Sequence, residues 1–148
     1  MNGYHYVECG LDNIWLVNGY KIHDTPYGRA VSFVNAEQLD RAIAQELTEK
    51  AEPLSGKELR FLRIMLDMSQ KSLGEAMGRE AQTVALWEKR KKVPADVDYL
   101  VRHIYRQAII NKSESYVEMV DRLNHLDRAA HAEALQFAAS DEGWKKSA

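Results

Sequence analysis

With 148 residues, 45% hydrophobic and 28% charged, the chain has the composition of one globular domain or two small ones, which excludes a disordered tail or a fibrous repeat. A net charge of −2 gives the chain as a whole no attraction for nucleic acid or an anionic membrane. The single cysteine, Cys9, can form no internal disulfide and, with five scattered histidines, no cysteine-based zinc ribbon.

The opening Met-Asn-Gly-Tyr-His-Tyr has neither the basic start nor the apolar run of a secretion signal, and no apolar stretch approaches the roughly 20 residues that span a bilayer. A soluble, cytoplasmic chain is expected, with no membrane partner, no metal and no cofactor. Charge counted by segment says more than the total. Residues 1–53 carry 4 basic and 8 acidic groups, 54–110 carry 11 and 7, and 111–148 carry 5 and 7. A polyanion would therefore meet the middle third, and the sign change places a boundary near Pro53.

In the first third, Ile14–Val17 and Tyr20–Ile22 flank Asn18-Gly19, a dipeptide that tolerates positive φ and favours a tight hairpin. Ala30–Val34 follows Pro26-Tyr27-Gly28 as a third strand. Trp15, Tyr20 and Tyr27 flank this hairpin, as its core or as a ligand pocket. Asn35 with Gln38 opens a helix carrying Leu39, Ala42, Ile43 and Leu47 as far as Lys50.

From Leu54 the apolar period is helical. Ser55 and Glu58 make a capping box ahead of Leu59, Leu62, Met65 and Leu66. Ser69 caps a short helix over Gln70–Met77, which Gly78 ends. A further helix runs over Ala81–Lys89. Asp96 caps another, with Val97, Leu100, Val101, Ile104, Tyr105 and Ala108 on one face, and Ser115 with Glu118 starts a last one that carries Val120, Leu123 and Leu126 toward Ala139. The fold class is mostly α with a small N-terminal β-hairpin or sheet, α+β overall, with about five helices around a helix-turn-helix. Its parts are 1–53, hairpin plus helix; 54–110, helix-turn-helix; and 111–148, a helical extension suited to dimerisation.

Two short helices joined across a glycine pack steeply when the residues at the crossing are small and those beneath are large. Gly74, Gly78, Leu73, Met77, Val84 and Trp87 meet that demand. The face formed by Ala81, Gln82, Ala85, Leu86 and Lys89 is then left outward, wide enough for a major groove. Ser69-Gln70-x-x-Leu73-Gly74-x-x-Met77-Gly78 followed by Gln82-Thr83-Val84-x-x-Trp87-Glu88-Lys89 resembles the helix-turn-helix of the phage-repressor class (Cro/C1, or XRE) over roughly residues 56–110. That resemblance implies a phosphate contact for Gln70, base reading for Gln82 and an ion pair between Arg63 and Glu88.

Glutamine pairs bidentately with adenine, which agrees with that role, and Leu86 suits a thymine methyl; Ala81 and Ala85 complete the base-facing set. Lys71, Thr83, Lys89, Arg90, Lys91 and Lys92 fall to the phosphates. Four positions depart from the family pattern. Gly74 replaces an alanine at a cost of about 0.5–1 kcal/mol to its helix, Arg90 replaces a glycine, and Ala81 with Leu86 stand where polar readers are common, so base readout is sparse. A looser similarity, over Gly10-Leu11-Asp12-Asn13-Ile14 and Leu54-Ser55-Gly56-x-Glu58-x-Arg60-Phe61-Leu62-Arg63, joins the chain to regulators and antitoxins of the MqsA/YgiT type. Those hold zinc with four cysteines, and this chain has one.

No nucleophile elbow, phosphate-cradling loop or His-Glu-x-x-His spacing is present, so no enzyme is expected. The expected function is a sequence-specific transcriptional regulator, a repressor or autoregulator, on double-stranded and palindromic DNA. One short helix reads few base pairs, so a homodimer spanning half-sites about 34 Å apart is expected. The apolar faces Val97–Ala108 and Val117–Ala139 serve either as its interface or as intrachain packing. The alternatives are an antitoxin whose N-terminal part binds a toxin protein, and a regulator that senses a small molecule.

Overall fold

The computed structural model describes residues 3–110 and 134–147. Among them are five α-helices and six short strands, mostly α with a small β part. Contacts sort the described residues into two compact units: those through Ile43 with those from residue 134 onward, and those from Ala44 to residue 110. The division falls inside helix α1 (Ala36–Glu49) rather than near Pro53.

The first unit is built around β2 (Ile14–Leu16), whose Ile14 and Leu16 are fully buried. β1 (Tyr4–His5) pairs with it antiparallel on one edge, placing Tyr4 opposite Leu16. On the other edge β5 (Leu135–Ser140) pairs parallel, Ile14 with Leu135 and Leu16 with Phe137. β6 (Gly143–Lys146) then pairs antiparallel with β5 and gives the order β1-β2-β5-β6. Leu135, Phe137 and Trp144 bury their side chains, and the Trp144 indole N–H donates to the Val34 carbonyl at 2.6 Å.

Two sequence expectations fail here. The hairpin across Asn18-Gly19 does not form, because both edges of β2 are taken by β1 and β5. Asn18 serves instead as an acceptor, its Oδ1 taking the Ala139 N–H at 2.6 Å. The helix continuing toward Ala139 is also overturned, since β5 and β6 occupy that stretch; the start of that helix, at Ser115 to Leu126, lies outside the described residues.

The hairpin that does form joins β3 (Tyr20–Thr25) to β4 (Gly28–Phe33) across Pro26-Tyr27, with Thr25 opposite Gly28. Thr25 Oγ1 closes the turn by donating to the Gly28 carbonyl at 2.5 Å and accepting from the Tyr27 N–H at 3.2 Å. Tyr27 is fully exposed at its tip and is neither core nor pocket lining. Trp15 stacks on His5 at 4.4 Å, and Tyr20 lies 5.3 Å from Tyr4. Tyr6 is buried and donates its hydroxyl to Asp40 Oδ1 at 3.0 Å. Burial pushes the Asp40 carboxyl up, against the lowering effect of that hydrogen bond.

The second unit holds the last turns of α1, then α2 (Gly56–Met65), α3 (Gln70–Ala76), α4 (Ala81–Trp87) and α5 (Ala95–Tyr105), with one wide turn over Arg106–Ile110. Ser55 and Glu58 form the reciprocal capping box at the start of α2. Ser69 accepts from the Ser72 N–H at 2.9 Å and caps α3. α5 begins after Pro94 without a side-chain cap; Asp96 is not that cap but lies in the first turn, where its charge suits the helix dipole. Leu47, Leu54, Leu59, Leu62, Leu73, Val84, Val97, Val101 and Tyr105 make the core. Val97, Val101 and Tyr105 are thus spent on packing within the chain. Among the described residues, no helix is long and apolar enough to cross a membrane.

Candidate nucleic-acid interface

The turn between α3 and α4 is a Schellman motif. Gly78 takes φ +68, its N–H reaches the Glu75 carbonyl at 3.2 Å, and the Arg79 N–H reaches the Gly74 carbonyl at 2.7 Å. Gly74 is buried against that same turn, where an added Cβ would lie 2.6 Å from the Arg79 carbonyl oxygen and 3.2 Å from Glu80. The glycine therefore permits a close approach that sets where α4 starts. The wedge beneath is filled by Leu73 and Val84, both fully buried, and by Trp87, with Met77 half-buried.

Val84 and Trp87 lie on one side of α4. The opposite side, an arc of about 140° at 100° per residue, carries Ala81, Gln82, Ala85 and Leu86, with Lys89 continuing it beyond the helix end. Gln82 is exposed, Leu86 is 60% exposed, and Ala81 and Ala85 are half-buried beside them on the side toward Val84. Thr83 is half-buried at the margin of this arc. α4 stops at Trp87, two residues short of the expected end; the Lys89 N–H reaches the Leu86 carbonyl at 3.2 Å and the Arg90 N–H the Trp87 carbonyl at 3.1 Å. Lys89, Arg90, Lys91 and Lys92 are all exposed, as is Lys71 on α3.

Behind this surface, Glu88 ties three helices together. Its carboxylate accepts from Arg63 Nε at 2.6 Å, Arg63 Nη2 at 3.2 Å and Gln70 Nε2 at 3.1 Å, while Arg63 Nη1 donates to the Met68 carbonyl at 2.9 Å. The Arg63 and Glu88 side chains retain only 11% and 5% exposure, so this is a buried, forked pair. Gln70 is half-buried and has one amide hydrogen committed to Glu88 rather than aimed outward.

No family model, curated protein or solved structure matches the chain. The site therefore stands on its own geometry.

Sequence reasoning passed over Gly56. A Cβ there would collide with the Trp87 and Glu88 carbonyl oxygens, and the Gly56 N–H donates to the Arg90 carbonyl at 2.9 Å. The start of α2 thereby holds the chain that leads into the basic run. The local signal was only a glycine at a helix start, because its partners are some thirty residues away. Arg102 was missed as well; it donates to the Lys50 and Glu52 carbonyls at 2.5 and 2.6 Å and pairs with Asp98, fastening α5 to the segment before α2.

In the first unit, Cys9 is half-buried with its thiol donating to the Tyr6 carbonyl at 3.1 Å. Burial pushes that thiol up to about 11, so it is protonated at neutral pH and offers no thiolate for chemistry. Among the described residues, no three histidine, cysteine or acidic side chains converge as metal ligands.

Proposed function

We propose that this chain is a sequence-specific DNA-binding transcriptional regulator of the phage-repressor helix-turn-helix class, a repressor or autoregulator that acts as a cytoplasmic homodimer on double-stranded DNA. One observation carries the reading: α4 buries Val84 and Trp87 and leaves Gln82 and Leu86 bare on its other side, next to four consecutive exposed cations. A helix about 10 Å long fits a groove about 12 Å wide and spans about three base pairs. In this reading Gln82 gives adenine its paired donor and acceptor, and Leu86 packs on a thymine methyl. Lys89 to Lys92 supply the sequence-independent attraction for phosphates, joined by Lys71 and the Thr83 hydroxyl. Gln70, held by Glu88, keeps a second amide hydrogen for a phosphate.

The test is selection of bound duplexes from a random pool, which should return a palindrome with half-sites about 34 Å apart. On the selected site Gln82→Ala should cost about 1–3 kcal/mol, with little change on random DNA. A pool that yields no enriched sequence, or equal losses on both DNAs, would overturn the proposal.

A further inference from the structure

The four cations that follow α4 run beside the start of α2. Two backbone bonds lace the segments together in opposite directions, from the Gly56 N–H to the Arg90 carbonyl at 2.9 Å and from the Val93 N–H to the Leu54 carbonyl at 3.0 Å. α2 also brackets Glu88. Gly56 lies against its carbonyl, where a Cβ would collide, and Arg63, seven residues on, grips its carboxylate at 2.6 Å. Arg60 falls between these two positions, about 6 Å along α2 from Gly56. At 100° per residue it stands about 40° from Gly56 and about 60° from Arg63, on the side away from the buried Leu59 and Leu62. Arg60 is exposed, so it occupies the solvent edge of the seam between α2 and the end of α4, and Lys57, also exposed, lies on the same side. The acids of this neighbourhood are spent inside. Glu58 holds Lys50 at 2.6 Å, Glu88 holds Arg63, and Asp98 pairs with Arg102 at 2.6 Å while accepting the Leu54 N–H. These six side chains retain 13% exposure or less, so each inward carboxylate has an inward cation and none draws on the exposed ones. The exposed acid that follows, Asp96, comes after Pro94 on α5.

We infer that Arg60 and Lys57 join the run from Lys89 to Lys92 in one phosphate-binding ridge, which grips the sugar-phosphate strand bordering the groove at the C-terminal end of α4. The occupant is duplex DNA. Lys89 continues the outward arc of α4, so a duplex seated on that arc brings one strand over Lys89 and onto the exposed cations beside it. Charge complementarity between these cations and the phosphates supplies the attraction, and contacts of this kind fix orientation without reading sequence. The two backbone bonds hold the basic run against α2, so the ridge is set before DNA arrives rather than ordered by it.

The inference rests on the duplex reading of α4 and deepens it by adding α2 to the contact. The test is Arg60→Ala in the full chain, on a random-sequence duplex and on the selected one. On both, the log–log slope of binding against salt should fall by about 0.9, and affinity near 0.1 M salt should drop about tenfold. Arg60→Lys should restore both, because a point charge suffices for a phosphate. Ethylating the phosphates of the selected duplex one at a time should reveal a position that hinders the parent chain and not the Arg60→Ala variant. The side chain is exposed, and unchanged far-ultraviolet circular dichroism would show that the variant folds. An unchanged slope on either duplex, a lysine variant as weak as the alanine one, or identical ethylation patterns would each overturn the inference. A greater loss on single-stranded RNA of equal length than on the random duplex would overturn it too and assign the ridge to RNA. If no sequence is enriched yet Arg60→Ala flattens the slope on random DNA, base reading by α4 fails and the ridge stands. An enriched palindrome with an unaltered slope sinks the ridge alone.

Discussion

Gly74→Ala sets two effects of opposite sign against each other. In an isolated helix the change gains about 0.5–1 kcal/mol, because alanine loses less backbone entropy than glycine. In this protein the new methyl would sit 2.6 Å from the Arg79 carbonyl oxygen and 3.2 Å from Glu80, both backbone, so no side chain can swing aside to admit it. Overpacking of that kind costs about 1–3 kcal/mol, and the collision should win by about 1–1.5 kcal/mol net. At about 2–4 °C per kcal/mol for a chain of this size, the melting temperature should fall by about 2–6 °C, read by far-ultraviolet circular dichroism. The residues that must move are the two that lead into α4, so affinity for the selected duplex should fall as well. A variant as stable as the parent that binds DNA equally well would refute the close-packing account of this turn.

Glu88→Ala leaves Arg63 and the Gln70 amide without their buried acceptor and should cost about 3–5 kcal/mol in urea denaturation, whereas replacing both Arg63 and Glu88 with apolar residues of similar size should recover most of that loss. Changing Lys91 and Lys92 to alanine should flatten the salt dependence of DNA binding by about 0.9 in the log–log slope for each phosphate they neutralise; an unchanged slope would place them off the DNA. Asp40 tests the first unit. Burial raises its folded pKa above the unfolded value, so its contribution favours folding at low pH and is lost as pH rises through the folded pKa. Asp40→Asn keeps an acceptor for Tyr6 and removes the desolvated charge, and should raise the melting temperature at pH 7 but little at about pH 4. Equal gains at both pH values would contradict this.

The features legible in the sequence are those whose partners lie within one helical turn. Ser55 finds Glu58 and Ser69 finds Ser72 three residues on, so both helix starts followed from residue type and spacing. Gly78 ends α3 for the same local reason. The outward arc of α4 follows from a period of 3.6 and the burial of Val84 and Trp87. Asn18-Gly19 carried the strongest hairpin signal in the chain and was overridden, because β5 approaches β2 from a distant part of the sequence and takes the edge that β3 would have used. Leu135-Gln136-Phe137 alternates as a strand should, and Ser140-Asp-Glu-Gly143 makes a turn, yet the alanines between continue a helical period and mask it. Gly74 looked like a flaw in a helix until the turn pressed against it came into view.

The parallel pairing of β2 with β5 also orders the events of biosynthesis. Asn18 bonds Ala139 across a separation of 121 residues, so the four-stranded sheet stays incomplete until the chain has been made through β6. The helical unit from Ala44 to Tyr105 draws the core residues named above, Leu47 to Tyr105, from within that stretch and can close much sooner. The helical half is therefore built first, and the half that buries Ile14 and Leu16 waits for β5 and β6 to arrive.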